Sequence, residues 1–184
     1  MQSCREQCVL RDRCAEVYGR MYNTSALAVT LAGSPFAISF DSANPIKNLD
    51  FVPGSFRILE PGVYNISYTL AFATNNFARS NVEADEESLP ETVEASDVAS
   101  ALSPLVNADI IAGVLLNGVD LPATETFASN ICCTSFIMQG GTIVELTTNT
   151  VISLAVWAGC TFCSGNDLIL LPNSQLITNR IGNI

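Results

Sequence analysis

The sequence predicts an all-β fold, an antiparallel sandwich of about eight to ten strands, and three observations support this. β-Branched and aromatic residues occur in short runs that are separated by Gly, Pro and Asn. One run, residues 63–72, alternates large apolar side chains with small or polar ones, which is typical of a half-buried antiparallel strand. The runs recur at intervals of about 8 to 12 residues, the spacing expected of a sandwich or jelly roll.

Taken in chain order, a first set of strands is predicted by the runs VYGRMYN, ALAVTLA, SPFAISF, FVPGSFRILEPG and VYNISYTLAFAT. Glu60-Pro61-Gly62 predicts a turn before the last of these runs. A second set of strands is predicted after Asn107. Within it, Asn117-Gly118 and Gly140-Gly141 predict hairpin-type turns, because both dipeptides tolerate the positive φ of tight turns.

The length of 184 residues is that of one domain with appendages. We divide the chain into a cysteine-bearing N-terminal arm at 1–16 and a jelly-roll domain at 17–184. An acidic loop insertion interrupts the domain at 76–108. Like charges and few aromatic residues predict a solvated segment there. The carboxylates of the insertion are Glu83, Asp85, Glu86, Glu87, Glu91, Glu94 and Asp97.

Composition excludes several classes of function. The net charge of −10 disfavours nucleic acid and anionic membranes as partners, because both are negatively charged. The chain has no histidine, so neither a Ser-His nor a Cys-His arrangement is possible. No phosphate-binding glycine loop is present, and the acidic run lacks the order of an EF-hand calcium loop. We therefore predict that the protein is not an enzyme and needs no cofactor.

The cysteines are the residues most open to chemistry. Because their number is odd, pairing within one chain leaves a thiol over, and we take all seven as candidates for intermolecular disulfides. A zinc site formed by the last four was considered, but adjacent residues of a strand point to opposite faces and so suit one ion poorly. A disordered arm with incidental cysteines is the alternative. The candidates are Cys4, Cys8, Cys14, Cys132, Cys133, Cys160 and Cys163.

Several short sequence segments, in the order in which they occur, resemble the complement/TNF-like jelly roll. They most resemble the C-terminal domain of BclA-type proteins on bacterial spore coats. The resemblance covers about residues 17 to 184. No Gly-X-Y collagen stalk precedes the domain, and the cysteine arm in its place is similar to the arms of endospore appendage subunits. The matching segments are Tyr22-Asn23-Thr24, Glu60-Pro61-Gly62-Val63-Tyr64, Leu116-Asn117-Gly118 and Leu146 to Leu154.

The resemblance implies a structural, self-assembling subunit of a bacterial spore surface layer, exosporium or appendage fibre, cross-linked by disulfides through its arm. Its partners would be copies of itself, in a homotrimer or a helical fibre, and other spore surface proteins. A spore protein made inside the mother cell without a cleaved signal peptide would oxidise after lysis, which reconciles the cysteines with an unexported chain. The alternative function is a trimeric complement/TNF-like binding head that recognises a surface ligand.

Overall fold

A computed structural model describes residues 16–74, 109–128, 135–159 and 167–184. The described part of the chain forms β-strands and a single 3-10 turn at Pro122–Thr124, and it contains no α-helix. The strands are β1 (Tyr18–Tyr22), β2 (Leu27–Thr30), β3 (Phe36–Ala37), β4 (Ser42–Lys47), β5 (Leu49–Val52), β6 (Ser55–Ile58), β7 (Gly62–Thr74), β8 (Ile110–Leu116), β9 (Val119–Asp120), β10 (Thr126–Ala128), β11 (Phe136–Leu146), β12 (Val151–Ala158), β13 (Asp167–Leu170) and β14 (Gln175–Gly182).

The strands form two antiparallel sheets. The first has the order β2-β13-β7-β14-β1-β4, with β11 on the other edge of β7. Strand β7 is 13 residues long, so β14 and β13 pair with successive parts of the same edge. The second has the order β10-β8-β12-β6-β5, and the short strands β9 and β3 extend it. The predicted all-β jelly-roll sandwich is therefore confirmed.

The core lies between the inner faces of the two sheets. In β7, every second side chain is buried, as the alternation in the sequence predicts, and the intervening residues form the outer face of the first sheet. The largest fully buried side chains are Tyr64, Phe40, Phe56, Phe72, Met21, Leu31, Ile38, Ile58, Ile66, Leu70, Ile110 and Ile152. A smaller buried cluster of Leu115, Ala155 and Trp157 is separate from this core.

The two predicted glycine turns differ in outcome. Asn117 and Gly118 have φ of 52° and 79° and join β8 to β9 in a two-residue hairpin, as predicted. The turn at Gly140-Gly141 was wrong, because both residues lie inside β11 and pair with β7. A Cβ atom on Gly140 would lie 2.5 Å from the Tyr68 hydroxyl, so glycine is needed there for close packing and not for a turn.

The strand count of eight to ten was too low, since the described residues form fourteen strands. The difference arises mainly because several runs are broken into short strands, two of which have only two residues. Residues 1–15 of the predicted arm, the acidic insertion at 76–108 and all seven cysteines lie outside the described residues. The domain boundaries and the disulfide candidates therefore stay predictions. Among the described residues, no helix is long and apolar enough to cross a membrane.

Candidate self-association surface

One edge of the sandwich exposes large apolar side chains. Strand β11 ends the first sheet, strand β10 ends the second, and the two strands contact each other. Phe127 on β10 is 66% exposed, and Ile137 and Ile143 on β11 are 66% and 65% exposed. We call these three residues the apolar edge. Apolar side chains of this size on neighbouring edge strands mark a site of protein association.

Strand β11 also lacks the features that usually protect an edge. It pairs with β7 and, within the described residues, with no second strand. Its 11 residues, FIMQGGTIVEL, include no Lys and no Pro, the two residues that natural edge strands most often use against unwanted pairing. The single charge on the strand is Glu145, at its C-terminal end. A neighbouring molecule can therefore approach this edge without a desolvated lysine or a proline kink in the way.

The Tyr68 hydroxyl fixes the position of the apolar edge. From β7 it reaches across the sandwich to the carbonyl oxygens of Ala112 at 2.9 Å and Thr124 at 2.8 Å, and it lies 2.8 Å from Oγ1 of Thr126. Burial raises the pKa of this phenol, which keeps it protonated and able to donate. Because Gly140 has no side chain, the tyrosine ring fits beside β11. The hydroxyl thus joins strand β7 of the first sheet to β8 and β10 of the second.

A second surface lies on the outer face of β1 and β14. The ladder between these strands pairs Tyr18 with Asn179, Arg20 with Ile177 and Tyr22 with Gln175. We call Tyr18, Arg20, Tyr22 and Ile177 the aromatic face. The Arg20 guanidinium carbon lies 4.8 Å from the centre of the Tyr22 ring, a cation–π contact. Arg20 is half-buried, and its Nε atom is buried without a hydrogen-bond partner.

The other three described cations form ion pairs within the chain. Lys47 binds Glu16 at 2.8 Å, and Arg57 lies 3.6 Å from Asp50. The best-formed ion pair joins Nη1 of Arg180 in β14 to the carboxylate of Glu60 at 2.6 Å. It places the Glu60-Pro61-Gly62 segment against the last strand.

Two carboxyl groups lie together beside the apolar edge. Asp120 in β9 and Glu125, just before β10, share a hydrogen bond, which together with burial and the charge of Asp120 raises the pKa of Glu125. The Oδ1 atom of Asp120 is buried and has no hydrogen-bond partner. Within the described ranges, no group of three or more Cys, Asp or Glu is placed to hold a metal ion.

A small pocket lies near the same edge. Its volume is about 260 Å³, and it is lined by Asp109, Phe127, Ala128 and Gly159. Phe127 belongs both to this pocket and to the apolar edge. Among the described residues, its lining includes one carboxylate and one aromatic ring.

The aromatic residues of the strands fall into two groups. Phe56, Tyr64, Tyr68 and Phe72 are buried in the core, Phe136 stacks on Phe72, and Trp157 belongs to the smaller cluster. Tyr18 and Tyr22 lie on the outer face of β1 instead.

Sequence reasoning missed the contacts of Arg20 and of Glu125. Arg20 belongs to the predicted strand VYGRMYN and the structure places it in β1, but its contact with the Tyr22 ring was not predicted. Glu125 carries no motif at all. The only signal for Arg20 was its position between Tyr18 and Tyr22 at alternating residues, which is the pattern of one strand face.

Comparison with known proteins gives the fold. No protein-family model matches the chain, and no curated protein matches it in sequence. Among solved structures, the globular domain of zebrafish complement 1qA protein is similar, with a TM-score of 0.50 and 11% identity over 91% of this chain and 99% of that one. The TNF Eiger from S. frugiperda has a TM-score of 0.53 and 9% identity over 92% and 95%. This chain has the complement/TNF-like jelly-roll fold that its sequence predicts.

Proposed function

We propose that this protein is a structural subunit that assembles with copies of itself, the apolar edge of one copy packing on the aromatic face of the next. The observation that carries the proposal is the exposure of Phe127, Ile137 and Ile143 by about two-thirds on two adjoining edge strands. In the proposal the contact is heterologous, because each copy offers its apolar edge to one neighbour and its aromatic face to another. Such a contact closes into a ring or continues into a fibre, depending on its rotation angle.

The free energies of burial and of association favour a contact that uses both the apolar edge and the aromatic face. Full burial of a Phe or Ile side chain contributes about 1.5–3 kcal/mol. Burial of the exposed two-thirds of the three edge residues then contributes about 3–6 kcal/mol in total. Association costs about 4–15 kcal/mol in lost freedom, so the edge alone does not hold two copies together. The aromatic face, with Tyr18, Tyr22 and Ile177, supplies the remaining contact area in the proposal.

A closed trimer is the form that the resemblance to complement/TNF-like jelly rolls implies, and a fibre is the form that the cysteine arm implies. In the proposal, disulfides between copies make the assembly resistant to dissociation until they are reduced. The candidates remain the seven cysteines named above. We assign the assembly to the surface of a bacterial spore, on the resemblance of the sequence to BclA-type and appendage proteins.

The second candidate is a binding head that recognises a surface ligand. It is favoured by the pocket of about 260 Å³ and by the similarity in fold to a complement protein and a TNF. The two candidate functions predict different states of the protein after its thiols are oxidised. A binding head acts as an isolated oligomer, whereas a structural subunit forms a covalent polymer.

The test is electrophoresis of the native, thiol-blocked protein after boiling in detergent, with and without reduction. A ladder that collapses to a band of about 20 kDa, close to the 19.6 kDa of one chain, supports the structural subunit. The matched variants replace Cys4, Cys8 and Cys14 by Ser, and they are expected to lose the ladder. A monomer band in both lanes refutes cross-linking and favours the binding head.

A further inference from the structure

The first sheet ends at β4 on the side opposite to β11. Strand β4 pairs with β1 and, among the described residues, with no second strand. Near the C-terminal end of β7 the same side ends at β2, which has only four residues. An edge strand offers unpaired backbone N–H and C=O groups to a neighbouring molecule. If the β4 edge were open, β11 of one copy would be able to pair with β4 of the next, and the sheets would join into an open-ended ribbon.

A bulge and a proline interrupt β4. The ladder with β1 shifts register at its centre, where Asn44 and Pro45 lie opposite the single residue Arg20. An extra residue of this kind bends the strand and increases its twist. Proline has no N–H group, so β4 also offers one donor fewer than a regular strand. Both residues are exposed. These features make β4 a poor template for a further strand.

A charged pair lies at the end of β4. Lys47 is the last residue of the strand, and its ammonium group binds the Glu16 carboxylate at 2.8 Å. The two side chains are 48% and 71% exposed. A strand laid against β4 would take both charged groups partly out of water, which is unfavourable. Lysine is a residue that natural edge strands use against unwanted pairing.

Strand β11 has no bulge, no proline and no lysine. Its register with β7 is unbroken from Phe136 to Leu146. Its exposed residues include Ile137 and Ile143 of the apolar edge. The two edges of the sheet therefore differ in kind, because β11 is regular and apolar whereas β4 is interrupted and charged. This asymmetry is expected when edge-to-edge contact between copies is disfavoured and the apolar edge binds a different surface.

We infer that Pro45 and Lys47 close the β4 edge to other copies and so direct the apolar edge of each copy to the aromatic face of the next. The inference rests on the proposed self-association and names the residues that exclude a competing arrangement. Specificity of this kind comes from making the wrong contact unfavourable. The two arrangements can be distinguished, because only joined sheets add hydrogen bonds to the free side of β4.

The test is sedimentation equilibrium of the full chain under reducing conditions, comparing wild type with the double variant P45V/K47V. Valine favours strands and restores the missing N–H. We expect the weight-average mass of the double variant to exceed that of the wild type about twofold or more and to keep rising with concentration.

Arg57→Val is the matched control. Arg57 is also an ion-paired cation, and its side chain is 46% exposed against 48% for Lys47. It lies on β6, however, which has β5 on one side and β12 on the other and so is not an edge strand. We expect this variant to keep the wild-type mass.

Amide exchange shows where the copies meet. Exchange in β4 should be slower in the associated double variant than in the wild type, because an added strand would cover its backbone. A double variant with the wild-type mass overturns the inference. A larger mass without slower exchange in β4, or an equal gain in Arg57→Val, overturns it also.

Thermal unfolding shows whether each variant folds, and Lys47→Val alone carries the test if P45V/K47V does not fold. A wild-type chain that is monomeric at every concentration overturns the proposed function instead. The comparison of the variants then still tests whether the β4 edge is closed.

Discussion

Removing the Tyr68 hydroxyl tests whether the apolar edge is held in place from the core. The variant is Tyr68→Phe. A phenol has one proton, which the carbonyl oxygens of Ala112 and Thr124 share, and the Thr126 hydroxyl can donate to the phenol oxygen. The substitution therefore removes about two hydrogen bonds of about 1 kcal/mol each and leaves buried acceptors unpaired. We expect the free energy of unfolding to fall by about 2 kcal/mol.

The assay is thermal unfolding of the reduced chain. For a domain of this size, 2 kcal/mol corresponds to a melting temperature lowered by about 4–8 °C. Amide exchange in β10 is expected to accelerate more than exchange in β12, because the lost bonds hold the edge strand. Tyr22→Phe is the matched control, since it keeps the ring beneath Arg20 and is expected to leave the melting temperature unchanged. An unchanged melting temperature in Tyr68→Phe would refute the role given to the hydroxyl.

Three further predictions concern stability. Gly140→Ala places a Cβ atom 2.5 Å from a buried hydroxyl, so urea unfolding should show a loss of about 1–3 kcal/mol, and no loss would show that the strand has room there. Arg180→Met leaves the Glu60 carboxylate without its partner at 2.6 Å, and calorimetry should show a loss of about 1–2 kcal/mol; wild-type stability would contradict this. Thr24 donates hydrogen bonds to the Asp41 carboxylate and so lowers the pKa of Asp41. These bonds therefore stabilise the fold above the pKa that Asp41 has in the unfolded chain, and the stabilisation is lost as the pH falls through the pKa that Asp41 has in the folded chain. Asp41→Asn should flatten the acid side of the stability profile, and an unaltered acid side would count against the bond.

Much of the fold could be predicted because it depends on local patterns. The alternation in β7 specifies one buried and one outer face, and Asn117-Gly118 specifies a tight hairpin. Gly140 is a position where the local sequence pattern predicted the wrong structure. A glycine pair signals both a turn and a close approach of chains, and only the position of the Tyr68 ring distinguishes the two.

The candidate surface could not be predicted in the same way, because it depends on which strands end the sheets. Phe127, Ile137 and Ile143 resemble ordinary apolar strand residues in the sequence, and their exposure follows from outward-facing positions on the strands that end the two sheets.

The central claim is that copies of this chain associate through the apolar edge. The most direct measurement is sedimentation equilibrium of the reduced protein, comparing wild type with the double variant I137S/I143S. Both isoleucines are about two-thirds exposed, so their replacement should leave the melting temperature almost unchanged. We predict an oligomer for the wild type and a folded monomer for the variant. A wild type that is monomeric at all concentrations, or a variant that associates equally well, would contradict the account.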